Sequence, residues 1–291
     1  MHINMKYYVV SIGAIFISLG IGMLVGFNLN YDQELTKQQE EMIGELNLKF
    51  EDLRELNNKL EDDIVLINNE YENSISFINS NVDKIIEDKL LNKSIGIIST
   101  NQDNDFNQEI ADTLSKSGAN IAFDIVLLNN IFEEEKLKEL SKNLSMEFKS
   151  SKDVINYIVE CLKTSDAKSN LSKLQEFQII NIRSISDNYD FESIVLAGGN
   201  NGKLKEKLFN NLDKNIIEKL RSENKHIVGV QRSDSKYSYI NLYFNEKVTS
   251  VDNIDEGIGK ISMVMLLEDS NILGKFGRTE DSDNLIPYKK E

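Results

Sequence analysis

Residues 7–29, YYVVSIGAIFISLGIGMLVGFNL, contain no charged side chain, and nothing else in the 291-residue chain limits its fold as much. At about 1.5 Å per residue, a helix of this length crosses the roughly 30 Å hydrocarbon core of a bilayer with some tilt. A cleaved signal peptide has a shorter apolar region ending in small residues of the A-x-A kind. Here the run passes into Asn28, Leu29, Asn30, Tyr31 and Asp32, so the expectation is a single-pass signal anchor over residues 1–30. Lys6 is the one charged side chain before it, while Asp32 and Glu34 precede the next base, Lys37. The positive-inside rule then places the N-terminus in the cytoplasm and the rest of the chain outside, in the cell envelope.

Ala14, Ser18, Gly22 and Gly26 recur every four residues and stack on one face of that helix, with a Gly-x-x-x-Gly pair at its end. Small side chains let two membrane helices approach closely, and this face is a candidate dimer contact.

Residues 31–92 read as a coiled-coil stalk. Apolar residues alternate at spacings of three and four through Ile43, Leu46, Phe50, Leu53, Leu60, Ile64, Ile67, Tyr71, Ile78 and Ile85. Asn57, Ser74 and Asn81 interrupt the seam, the flanking positions are rich in Glu, Asp, Lys and Asn, and proline is absent. An amphipathic helix lying on a globular body would show a wider and shorter apolar stripe. Asn57 is the kind of seam residue that fixes register and strand number, and a parallel homodimer is expected because both chains would start from one membrane face.

The formal net charge is −15. Such a chain repels nucleic acid and anionic headgroups, and no basic patch follows the apolar segment, so nucleic acid is excluded as a partner. The single cysteine, Cys161, cannot form an internal disulfide and sits in the apolar-periodic run Val154, Ile155, Ile158, Val159, Leu162, where it reads as a small buried hydrophobe.

Residues 93–291 change character. Short apolar runs at 94–99, 121–128, 193–197 and 226–231 read as strands. Helical periodicity appears at 133–144, 152–162, 203–223 and 255–269, and the last twenty residues read as a mobile tail. Strands alternating with helices predict an α/β domain with a doubly wound, mainly parallel sheet. The loop Gly198, Gly199, Asn200, Asn201, Gly202, Lys203 between a strand and a helix is the best candidate for a small ligand. It departs from a phosphate loop because Ala197 stands at the first glycine and Leu204 follows Lys203, leaving no hydroxyl for magnesium. Neither a Gly-x-Ser-x-Gly elbow nor a histidine-rich cluster is present, and His2 and His226 are the only histidines. The expectation is a protein that is not an enzyme and needs no cofactor. Acidic pairs such as Asp103/Asp105 and Asp281/Asp283 read as solvated loops rather than cation sites.

Two stretches carry a family resemblance: residues 5–12, MKYYVVSI, running into FISLGIG at 16–22, and SVDNIDEGIG at 250–259, followed by an apolar helix and a terminal Leu285, Ile286, Pro287. They resemble the bacterial family named after the MctB copper-transport protein. That resemblance implies a membrane helix, a coiled coil and a distal α/β domain in this order, and a role in copper efflux or homeostasis. Soft copper ligands are few: Met263 and Met265 lie two apart on an apolar helix and point in different directions, while Met5 and His2 lie at the cytoplasmic end. The function expected from the residues is a dimeric envelope scaffold that presents its α/β domain to a protein partner. The alternative is a copper-handling accessory.

Overall fold

The computed structural model describes residues 5–102, 106–187, 190–199 and 205–288, leaving aside the side chains of 28–34 and 205–206. Two compact units divide the chain, Met1–Glu72 and Asn73–Glu291. Helix α1, Met5–Ile86, forms the first unit and enters the second.

In the first unit, Met5–Phe27 is a 23-residue stretch of mean hydropathy 2.3, long and apolar enough to cross a membrane, and none of it is buried in the protein. The small-residue face is open, with nothing near Gly22 or Gly26. Further along, the seam residues Leu46, Phe50, Leu53, Leu60, Ile64 and Ile67 are all about half exposed or more.

The unit boundary at Glu72/Asn73 falls inside the segment read as stalk, because the last turns of α1 are already part of the globular core. Val82 packs against that core, and Ile86 and Leu90 are fully buried in it. Val82 and Ile86 are one turn apart on α1, while seam residue Ile85 stays 40% exposed.

The second unit is a seven-stranded sheet in the order β3-β2-β1-β4-β5-β6-β7. Its strands are β1 (Ser94–Ser99), β2 (Asn120–Leu127), β3 (Ile180–Ile185), β4 (Ser193–Ala197), β5 (His226–Val230), β6 (Thr249–Val251) and β7 (Lys275–Phe276). Every pairing is parallel except β2 with β3, so the doubly wound, mainly parallel sheet expected from the alternation is what the chain forms. Side chains alternate across the central strands. Ile98, Ile194, Leu196 and Ile227 face one core, while Ile95, Ile97, Val195 and Val228 face the other. Both faces are therefore buried, and this is why the strands read as continuous apolar runs.

The first face is covered by α3 (Glu134–Leu144), α4 (Ser151–Leu162), α5 (Ala167–Glu176), α6 (Lys205–Asn211), α7 (Asp213–Ser222) and α8 (Ile240–Asn245). The second is covered by α2 (Asn107–Lys116), α9 (Gly257–Glu268) and the end of α1.

The structure departs from the sequence expectation in three places. The helical run expected over 203–223 is two helices, α6 and α7, broken at Leu212, so Asp213 opens the second one. Helix α5 and strand β3 lie in a stretch whose weak pattern gave no expectation; β3 is an edge strand with a half-exposed face and lacks the apolar run of a central strand. The segment read as a mobile tail carries β7, and Phe276 makes a further bridge to Asn284.

Candidate functional site at the sheet switch point

In a doubly wound sheet, ligands bind outside the carboxyl ends of the strands, where the winding reverses. Here the reversal lies between β1 and β4. The chain leaving β1 is held against β4 by Thr100, whose N–H donates to the carbonyl of Ala197 at 3.0 Å. Its hydroxyl donates to Oδ1 of Asp213 at 3.0 Å, and the Tyr243 hydroxyl donates to the same oxygen at 2.7 Å. Asp213 and Tyr243 are both fully buried, and Oδ2 of Asp213 has no hydrogen-bond partner among the described residues. Burial pushes the Asp213 carboxyl up to about 7 from an ordinary 3.8, against the opposing pull of the Tyr243 and Thr100 bonds. Burial, and then the neighbouring Asp213, hold the Tyr243 phenol well above its usual range.

This arrangement explains one half of the glycine loop. A Cβ at Gly198 would collide with the Tyr243 hydroxyl and press on the Tyr239 ring, so the glycine makes room for the aromatic cover of Asp213. Gly199 adopts a φ of +80°, which a side chain would resist. Gly202 and Lys203 lie outside the described residues. What the described part of the loop does is let Tyr243 lie over the sheet.

Beside the crevice, Gln231 at the end of β5 accepts the Tyr239 N–H at 2.8 Å and donates to Ser238 at 3.2 Å. Arg232 pairs with Glu109 of α2 at 2.9 Å and with Asp234 at 3.2 Å. Asp255 accepts both the N–H and the hydroxyl of Ser233, at 2.8 and 2.6 Å. Across the crevice, Asn107 donates to Asp124 at 2.5 Å. These polar groups bond elements of the fold to one another.

The stretch SVDNIDEGIG does similar work at the next strand. Asp252 is fully buried, and its carboxylate accepts the N–H groups of Arg278 and Thr279 at 2.9 and 3.0 Å, the Thr279 hydroxyl at 2.6 Å, and the Ser282 hydroxyl. Gly257 at the start of α9 donates its N–H to Asn79 of α1 at 2.8 Å. The partners of this motif, Asn79 and residues 278–282, lie far from it along the chain or beyond an intervening helix.

The remaining sequence candidates do not converge. Cys161 is 5% exposed on α4 beside Tyr157, and burial raises its thiol pKa. Met263 is buried in the core and Met265 half-buried. Asp281 accepts from Asn241 at 2.5 Å and Asp283 pairs with Lys275 at 3.3 Å, while His2, Asp103 and Asp105 lie outside the described residues. Among the described residues, no three of His, Cys, Asp or Glu gather as a metal site.

The sequence could have pointed to Asp213. It lies three, four and seven residues before Ile216, Ile217 and Leu220, on the stripe of α7 that faces the core.

A doubly wound α/β body in a chain with a helix long and apolar enough to cross a bilayer defines a class of α/β proteins with a candidate membrane helix. Within that class, the chain belongs to the family described as copper transport outer membrane protein, MctB, which it matches over residues 2–287. No curated protein matches it.

Proposed function

We propose that the chain is a non-enzymatic envelope protein, held by a single membrane helix, that pairs with a second copy through its stalk and presents its α/β body to a protein partner. The observation that carries this reading is the exposed seam of α1, with Ile43, Phe50, Asn57 and Ile64 at one heptad position and Leu46, Leu53, Leu60 and Ile67 at the other. Each such apolar side chain is worth about 1.5–3 kcal/mol when fully buried, and a facing helix supplies that burial. In the single chain Asn57 donates to Glu61 at 2.8 Å. In a pair, two Asn57 side chains meet across the seam and select a two-stranded register.

The test places a cysteine in the full chain in membranes. Asn57→Cys is expected to convert to a disulfide dimer under mild oxidation, while Glu55→Cys, on the opposite face of the helix, stays monomeric on a non-reducing gel; buried Cys161 leaves the background low. Equal cross-linking at both positions, or none at either, would sink the pairing.

A second reading, a role in copper efflux or homeostasis, is favoured by the family match. Cells lacking the protein should then change in copper tolerance and in total copper by elemental analysis. Unchanged values in both would remove it.

A further inference from the structure

Under the amino ends of β5 and β6, away from the switch point, a cavity of about 290 Å³ opens between three connections: α7 to β5, α8 to β6 and α9 to β7. Its walls carry Arg221, Lys225, His226 and Lys247 and no carboxylate. That is unexpected in a chain with 48 acidic and 33 basic residues.

The neighbouring lysines behave differently. Lys214 pairs with Glu246 at 2.8 Å, Lys219 with Glu160 at 2.5 Å and Glu223 at 3.0 Å, and Lys163 with Glu223 at 3.1 Å. Among the described residues, neither Arg221, Lys225 nor Lys247 pairs with a carboxylate. Arg221 donates to the carbonyl of Glu246, and Lys225 to the carbonyl of Phe191 at 2.5 Å, with its ammonium 4.5 Å from the Phe191 ring centre. Carbonyls thus orient both cations, while the nearby carboxylates, Glu218 beside Arg221 and Asp269 beside His226, lie outside the cavity wall. Opposite them, Ile227 and Leu273 supply an apolar wall.

We infer that this cavity is a binding site for a small phosphate monoester. The guanidinium fork and the Lys247 ammonium match the oxygens and charge of a phosphate, and Lys225, held on Phe191, adds positive potential beside them. The volume sits at the low end of the roughly 300–1,000 Å³ typical of small-molecule pockets, which favours a compact ester. A phosphate of this kind comes either from a free ester or from the headgroup of an anionic lipid. The inference is independent of what the stalk does.

The test uses the full chain in neutral nanodiscs, titrated calorimetrically with glycerol 3-phosphate and, separately, incubated with phosphatidic acid or phosphatidylcholine vesicles. Arg221→Gln with Lys247→Gln is compared with Lys247→Gln alone, whose exposed side chain is not needed for folding, and circular dichroism checks each fold. The expected result is saturable binding of glycerol 3-phosphate, weakened roughly tenfold or more in the double variant and reduced by added salt. Selective capture by phosphatidic acid vesicles, lost in the same variants, would assign the headgroup as the source. Binding by neither probe, or binding unchanged in both variants, overturns the site.

Discussion

Asp252→Ala is expected to detach the C-terminal segment from the sheet and to lower the stability of the α/β body by about 3–5 kcal/mol. The carboxylate is the common acceptor for two backbone N–H groups and two hydroxyls of residues 278–282. Alanine leaves all four part-buried donors without the fully buried carboxylate that gathers them. Asn is expected to do nearly as badly, since its amide would turn a donor toward groups that are themselves donors. The loss spreads because the same segment carries β7. The Asp252 N–H donates to the Phe276 carbonyl at 3.0 Å, and Gly277, at a φ of +137°, sits against the Asp252 carboxylate where a Cβ would not fit. Urea denaturation gives the energy, and amide exchange over residues 276–284 gives its place. Unchanged protection in that segment would show that Asp252 is not its anchor.

The second large effect depends on pH. Asp213 has a folded pKa of about 7 against an ordinary 3.8. Its protonated form is therefore the one the fold accommodates. The stability it contributes is complete below pH 4, falls as pH rises toward 7, and is gone above that. A shift of this size amounts to about 4 kcal/mol. Asp213→Asn mimics the protonated acid, keeps an oxygen for Thr100 and Tyr243, and cannot ionise. It should match the natural protein near pH 4 and exceed it by about 2–4 kcal/mol at pH 8, read as the difference between urea midpoints. Tyr243→Phe removes one of the two hydroxyls that steady the carboxylate and should extend the loss to higher pH, since the Asp213 pKa then rises further. A constant difference between Asp213→Asn and the natural protein from pH 4 to 8 would exclude titration of this group.

Both effects arise where the local pattern was least informative. The apolar helix, the long helix that continues it and the alternation of strands and helices could be read directly, because each shows the period or length of one element. The break at Leu212, the edge strand β3 and the short β6 and β7 escaped, since each is stabilised by distant neighbours and carries little pattern of its own. In the glycine loop, Gly198 makes room for Tyr243 and Gly199 takes a turn with positive φ, roles that depend on residues far along the chain.

What the chain's own order of residues determined, then, is the set of elements and the faces they bury, down to the membrane-compatible helix and the doubly wound sheet. Only the folded arrangement decided which charged groups lost their water. Asp252 looks in sequence like any other surface charge, and Asp213 differs only in its place on the core-facing stripe of α7. Burial and distant partners give each its character, because the energy of a charge depends on what surrounds it in space and hardly at all on its neighbours along the chain.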